Sequence, residues 1–398
     1  MNTIRITRLG RDGDGVAEDG AFIPFTLPGE DIRPGPPPEI LTPSPSRITP
    51  VCPHFSRCGG CSLQHASDAF LADWKSQVVR RALAARDLEA PFRPIHVSPP
   101  GARRRATFAG RRTRKTVQLG FHERRSDVIV DLETCPVLSP RILDLRPALL
   151  EIVGQLASRR GTVSLSVTVT DGGSDVAVGA DKPLTLELRN TLASLARAHG
   201  LGRLTVGGEL ICTLDQPLIL MGKAQVHPPP GAFLQATQDG EKALVTAVLD
   251  AVTGADRCLD LFSGCGTFSL PLARTAKVHA VEGDAAMAAA LDAAWRTTPD
   301  LHPLSVERRD LFRRPLSPAE LAGWTAAVID PPRAGAEAQC NALAASDVQV
   351  IAHVSCNPVT FARDARTLVD GGYTLDWVQV VDQFRWSGHV ELAARFSR

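Results

Sequence analysis

The sequence predicts an α/β protein whose second half is a Rossmann-like, doubly wound sheet, preceded by a mostly-β central stretch and a small N-terminal β-module. Three features predict it. From about Lys242 the chain alternates apolar strand-like runs with helical stretches, as when helices cover both faces of a parallel sheet. Between Arg103 and about Val226 period-two patterns dominate instead. A proline-rich segment sets both apart from an opening stretch of short strands and turns. The expected divisions are residues 1–48, 49–232 and 233–398.

In the opening stretch Ile4-Arg5-Ile6 alternates, Gly10 to Gly20 is rich in Gly and Asp, and Ala21 to Leu27 reads as a further strand. Pro34, Pro36, Pro37, Pro38, Pro43, Pro45 and Pro50 break regular structure and predict a stiff linker. A cluster of cysteines follows, and then Phe70, Trp74, Val78 and Leu83 at helical spacing within Phe70 to Arg86. In the central stretch Thr162 to Thr170 is the clearest alternating run, with one helix expected near Leu184 to His199. The last stretch offers Arg257 to Phe262, Lys277 to Glu282, Ala326 to Asp330 and Val348 to Ser355 as buried parallel strands. Helices such as Asp284 to Arg296 and Pro358 to Val369 separate them.

At 398 residues, 44% of them hydrophobic, the chain is long and apolar enough for two or three domains with cores of their own. Lys and Arg number 44 against 43 Asp and Glu, a net charge of +1, so any nucleic-acid surface must be local. No run approaches the roughly 18 apolar residues of a membrane span, and Met1 to Gly15 lacks a signal-peptide core. A cytoplasmic location is the expectation. There, nine cysteines are metal ligands, catalytic thiols or core residues sooner than disulfides.

Asp260-Leu261-Phe262-Ser263-Gly264-Cys265-Gly266-Thr267-Phe268 leaves the first strand of the expected sheet. Gly264 and Gly266 let the backbone turn and approach a ligand, a helix is expected to start there, and its amides would face that ligand. Glu282, ending the next strand, can accept hydrogen bonds from ribose hydroxyls. The third glycine of the dinucleotide fingerprint is missing, and Asp260 would repel a pyrophosphate. Both facts favour S-adenosylmethionine over a nicotinamide cofactor. The competing reading is a plain glycine turn with Phe262 and Thr267 as packing residues.

Asp330-Pro331-Pro332-Arg333-Ala334-Gly335 ends the fourth strand, where open α/β sheets bind ligands. Ser355-Cys356-Asn357-Pro358 ends the fifth, with Asn357 a good N-cap and Pro358 suited to the first helical position. Cys356 thus sits at a helix N-terminus, where the dipole favours a thiolate. A methyltransferase needs such a thiolate when its target is carbon 5 of uracil, which is too weak a nucleophile unaided. Thiolate addition at carbon 6 makes carbon 5 electron-rich, and a base must later remove the carbon 5 proton. Glu391, in Gly388-His389-Val390-Glu391, is the candidate base, and Asp330 can hold the uracil's polar edge. Taken singly, Cys356 and Glu391 also suit a buried small residue and a solvated strand carboxylate.

Phe233-Leu234-Gln235, the Asp260 to Phe268 loop, Glu282, the Asp330 motif, the Cys356 motif and Gly388 to Glu391 occur in one order along the chain. In this the sequence resembles the RNA uracil-5 methyltransferase family. The resemblance implies a class I S-adenosylmethionine-dependent methyltransferase fold, with Gln235, Phe262, Glu282 and Asp330 contacting the cofactor. It implies Cys356 as nucleophile and Glu391 as base, and adds Thr267 and Asp310 as further cofactor contacts.

Cys52, Cys58 and Cys61 lie close together, and Cys135, followed by Pro136, lies far along the chain. Four thiolates can hold a tetrahedral zinc or an iron–sulfur cluster. The three-plus-one spacing resembles that of the ribosomal-RNA branch of the family, which implies a [4Fe-4S] cluster with a structural role. Cys212, Cys258, Cys265 and Cys340 are expected to be packing residues. Nine basic residues against the single acid Glu123 between Arg103 and Arg125 mark an expected phosphate-binding surface, a solvated charged face being the alternative. The N-terminal module resembles a shortened form of the OB-like (TRAM-like) RNA-binding barrel found in the family.

Together these imply methylation of a uridine in 23S ribosomal RNA to 5-methyluridine, with no membrane and no obligate protein partner. Three alternatives stay open: a transfer-RNA uridine-5 enzyme, an RNA cytosine-5 enzyme, and a non-catalytic iron–sulfur RNA-binding protein. Cytosine enzymes often carry Pro just before the nucleophile, where this chain has Ser355.

Overall fold

A computed structural model describes residues 3–158, 161–179 and 182–398. Residues 1–2 of the expected N-terminal module, and 159–160 and 180–181 of the expected central stretch, lie outside the described residues. The second half supplies seven strands to one sheet: Arg257–Leu261, Lys277–Glu282, Leu304–Arg308, Ala326–Ile329, Val350–Ser355, Thr374–Asp382 and Glu391–Ser397. Numbered in that order, they lie across the sheet as 3-2-1-4-5-7-6. The first five are parallel, and the seventh is antiparallel to both the fifth and the sixth. This is the doubly wound parallel sheet that the strand–helix rhythm predicts.

Helices cover both faces, so the inner strands are near-continuous apolar runs. Cys258, Leu259 and Leu261 of the first strand and Ala326 to Ile329 of the fourth are fully buried. One core packs the helices Gln238–Ala251 and Ala285–Thr297 against the sheet. The other packs Glu337–Ala344, Pro358–Asp370 and, from the first half of the chain, Asp68–Ala84 through Val79 and Leu83. The strand His96–Val97 also pairs in parallel with the sixth strand. Residues 68–97 are therefore built into the methyltransferase layers.

The central stretch forms a seven-stranded sheet, antiparallel except where Gly173–Val178 runs parallel to Arg203–Val206. Two main helices back it. Leu186–Ala198 is the expected one, whereas Arg146–Leu156 falls in a region expected to hold strands. Leu149, Ile152, Val153 and Leu156 of that second helix are buried on one face, so the helical spacing is real but short. Pro147 sits in its first turn, where a missing N–H costs nothing.

The N-terminal module is a five-stranded antiparallel sheet. Its last strand, Glu39–Thr42, corrects the expectation of an unbroken proline linker. These four residues lie between Pro38 and Pro43 on an edge of the sheet, where flanking prolines interrupt no ladder. No helix among the described residues is long and apolar enough to cross a membrane.

Candidate active site

The candidate cofactor loop leaves the first strand with Phe262 in the left-handed region (φ 66°), followed by Gly264 at 58° and Gly266 at 99°. A Cβ on Gly266 would approach Leu291 to 2.4 Å, so this glycine is required by packing as well as by conformation. Glu282 ends the second strand beside the loop. Its two carboxylate oxygens accept the Gly264 and Asp284 amides, each at 2.8 Å, so the side chain is aimed before any ligand arrives. The expected helix start is different. A single turn, Ser269–Leu272, begins after the half-buried Thr267, and the Gly264 and Gly266 amides are spent on Glu282 and the Ser263 carbonyl.

Asp260 lies beneath this loop, fully buried, and not in contact with the crevice solvent. Burial pushes its carboxyl up to about 7 against the Ser269 hydroxyl that donates to it, and Glu282 adds to the rise. Its other oxygen has no hydrogen-bond partner among the described residues. Asp310 follows the third strand, exposed, and accepts the Phe312 and Arg313 amides at 3.0 and 3.3 Å. Phe262 and the exposed Phe312 stand with ring centroids 5.4 Å apart at the same edge. Sequence reasoning missed Phe312, for which only its nearness to Asp310 in the chain gave a signal.

Cys356 and Glu391 are brought together by strand register. The fifth and seventh strands pair Val354 with Ala393 and Ser355 with Leu392, so the next antiparallel step sets Cys356 opposite Glu391. Asn357 caps the following helix, accepting the Val359 amide at 3.2 Å and a guanidinium N–H of Arg11 at 2.9 Å. Its own amide donates to the Arg333 carbonyl at 2.9 Å, and Arg333 reaches His389 Nδ1 at 3.0 Å. The helix end does not win the thiol's ionisation. Burial first, then the carboxyls of Glu391 and Asp330, push Cys356 up, with Arg333 opposing. The expectation of a depressed thiol fails because two carboxyls and a low-polarity setting outweigh one helix turn.

Glu391 is 5% exposed, and its carboxyl is pushed up to about 8 by burial, then Asp330 and Asp382. Asp330, at the end of the fourth strand, is pushed up to about 7 by burial and by Asp260. Gln235 is buried, and its side-chain oxygen accepts Gln383 Nε2 at 2.8 Å. The same Gln383 nitrogen donates to Glu391. No motif pointed to Gln383, although it precedes Glu391 by only eight residues.

Cys52, Cys58, Cys61 and Cys135 gather on a second wall of the same space. A cavity of about 850 Å³ is lined by all four and by Cys356, Arg333 and His389. Burial first, and then the thiols' effect on one another, disfavour their ionisation, with Cys61 pushed up to about 12. Donors are nevertheless aimed at the sulfurs: the Gly60 amide at 3.4 Å from Cys58, and the Val137 and Leu138 amides at Cys135. Arg103 stands close enough to Cys61 and Cys135 for their charges to favour its own. Four half-buried thiols with N–H donors and a cation suit an anionic thiolate-bound group.

The basic run between Arg103 and Arg125 is only partly a surface. Arg104 is buried, 2.5 Å from Glu241 and 3.1 Å from the Gln235 carbonyl, and Arg105 donates to the Leu234 carbonyl. Arg124 is bidentate to Asp14 at 2.6 Å. Only Arg111, Arg112, Arg114, Lys115 and Arg125 are exposed. Of the rest, Arg104 and Arg105 hold the segment carrying Gln235.

Strand order, glycine loop and crevice define a class I S-adenosylmethionine-dependent methyltransferase. The whole architecture matches a tRNA (uracil-54, C5)-methyltransferase of Pyrococcus abyssi solved with S-adenosyl-L-homocysteine, with TM-score 0.77, 22% identity and 99% of each chain covered. Residues 213–398 match the sequence profile of the family described as tRNA (Uracil-5-)-methyltransferase. An uncharacterized RNA methyltransferase of Brucella suis biovar 1 is 44% identical over 98% of this chain and 96% of its own length. The 23S rRNA (uracil(1939)-C(5))-methyltransferase RlmD of Halomonas elongata is 34% identical over 97% of this chain and 87% of its own. The chain belongs to the RNA (uracil-5-)-methyltransferase family.

Proposed function

We propose that the protein methylates carbon 5 of a uridine in 23S ribosomal RNA, with Cys356 as nucleophile and Glu391 as the base that removes the carbon 5 proton. The observation that carries this reading is the register that sets Cys356 opposite a buried glutamate. S-adenosylmethionine, when bound, supplies a methyl group carried on a sulfonium. Gln235, Phe262, Thr267, Glu282, Asp310 and Asp330 are the residues proposed to hold it, with Glu282 oriented for ribose hydroxyls and Phe262 at the edge of the slot. Cys356, once it has lost its proton, adds to carbon 6 of the uracil and leaves an electron-rich carbon 5. After carbon 5 is methylated, Glu391 takes its proton. The C–H electron pair re-forms the carbon 5–carbon 6 double bond, and the carbon–sulfur bond breaks to free the Cys356 thiolate.

The 34% relative that acts on 23S rRNA supports ribosomal over transfer RNA, as do the four cysteines. We propose that Cys52, Cys58, Cys61 and Cys135 hold a [4Fe-4S] cluster. Their spacing favours it over zinc. Three of the ligands are close in the chain and one is remote, whereas ribbon-type zinc sites usually show two close pairs. We propose a cytoplasmic location, where cysteines serve as metal ligands, catalytic thiols or core residues. Anaerobic protein is expected to show broad absorbance near about 400 nm that Cys135→Ser removes. A colourless zinc protein would refute the cluster.

RNA carrying 5-fluorouridine tests the chemistry, because carbon 5 then has no proton to lose and the adduct persists. A stable adduct is expected with the intact protein and none with Cys356→Ala. An adduct formed only on 5-fluorocytidine RNA would favour a cytosine enzyme, and none on any RNA a binding protein. Mapping 5-methyluridine in ribosomal RNA of a deletion strain tests the substrate, and an unchanged pattern would exclude it.

A further inference from the structure

We propose that Gln383 is a positioning residue for this reaction, its carboxamide aiming the Glu391 carboxylate at the proton to be removed and fixing Gln235 through the same nitrogen. The inference rests on the reading of Glu391 as the base. Gln383 follows the sixth strand and is 1% exposed. Its oxygen accepts the Thr237 amide at 3.2 Å. A backbone N–H can only donate, so this contact decides which way the carboxamide faces. The nitrogen is then turned to Gln235 Oε1 at 2.8 Å and to Glu391 Oε2. Both N–H groups and the oxygen are used. Gln235 keeps only its own NH2 free for a ligand in the crevice.

The setting is built to hold this side chain still. A Cβ on Gly240 would lie 2.3 Å from Gln383 Cγ, so the helix Gln238–Ala251 makes room for it with a glycine. On its other side Lys75, fully buried, binds Asp382 at 2.5 Å and the Phe384 carbonyl at 3.1 Å, pinning the residues before and after Gln383. The charged and titratable groups around Glu391 are Asp330 from the fourth strand, Asp382 from the sixth and Cys356 after the fifth, with Lys75 behind Asp382. Both aspartates oppose a third negative charge. Gln383 is the one hydrogen-bond donor to the Glu391 carboxylate among the described residues, and it favours the ionised form that a base must have.

The test is Gln383→Met, which keeps the length and removes the donor. Addition and methyl transfer do not need the base, so at cofactor concentrations high enough to offset the loosened Gln235, trapping on 5-fluorouridine RNA is expected at the level of the intact protein. Turnover on uridine RNA is expected to fall about 10- to 100-fold, as for losing one hydrogen bond to a charged group. A denaturant-stable protein–RNA adduct should accumulate on ordinary uridine, and the rising limb of the pH–rate profile should move alkaline by about one unit. Gln383→Leu also lacks the donor, together with the acceptor for Thr237, and is read the same way. Normal turnover and an unmoved limb in either variant would overturn the proposal. So would loss of the fluorouridine adduct in both, which would place Gln383 in folding or addition. Glu391→Gln separates the two readings: if it turns over normally, Glu391 is not the base. If it stalls as the adduct while both Gln383 variants behave as the intact protein, only the role of Gln383 falls.

Discussion

At the scale of single residues, the two groups proposed to react are held in their protonated forms. Burial and neighbouring carboxyls raise the Cys356 thiol above its ordinary value and push Glu391 up to about 8. At pH 7 a carboxyl of that strength is ionised in about a tenth of molecules. Both groups must lose a proton to act, so the methylation rate under saturating RNA and cofactor is expected to climb as pH rises from about 7 through about 8. A profile flat over that range would show that bound substrate resets both groups. Cys356 and Glu391 could be singled out in the sequence as candidates because each sits in a short motif. Gln383 was not, since a glutamine between Asp382 and Phe384 acquires its role only when the sixth strand ends beside Thr237 and Gln235.

Among elements, the helix Asp68–Ala84 does more than cover the sheet. Through Lys75 it fastens the turn that leaves the sixth strand. Lys75→Met is expected to cost about 3–5 kcal/mol, because it leaves Asp382 buried without its counter-charge. Urea unfolding measures this, and Lys75→Met with Asp382→Leu together should recover most of the loss. A single-variant cost within error would mean that water reaches Asp382. Elements with strong periodicity, such as Lys277–Glu282 and Pro358–Asp370, were legible. Arg146–Leu156 was not, because three turns beside Pro147 resemble the apolar strands around them. Glu39–Thr42 was hidden by its prolines, which matter little on an edge.

For the molecule as a whole, the near-zero net charge conceals four carboxyls pushed up by burial: Asp260 and Asp330 to about 7, Glu391 to about 8, and Glu241 against the opposing Arg104. Unfolded, such groups titrate near about 4, so the folded protein binds more protons between the two ranges. Their contribution to stability is complete below the unfolded values and is lost as pH rises, through about 7 to 8 for the first three. Glu30 and Asp364 act in the opposite sense. Against their burial, Arg47 and His353 hold them low, and their contribution fades only as pH falls below the ordinary carboxylate range. Thermal unfolding of ligand-free protein is expected to show Tm falling from about pH 5 to about pH 8.5, with Asp260→Asn flattening the slope. A Tm that rises over this interval would contradict the burial of these groups.

By itself the sequence determined the class of fold, the order of the motifs, and the three neighbouring thiols Cys52, Cys58 and Cys61. Those properties are written locally, in periodicity and in motifs a few residues long. Only the tertiary structure decided that Cys356 stands in one cavity with Cys52, Cys58, Cys61 and Cys135, that Arg104 and Arg105 turn inward, and that Gln383 joins Gln235 to Glu391. The direction in which each acid titrates was settled there too. Burial and pairing depend on chain segments hundreds of residues apart, and no short stretch of sequence carries that information.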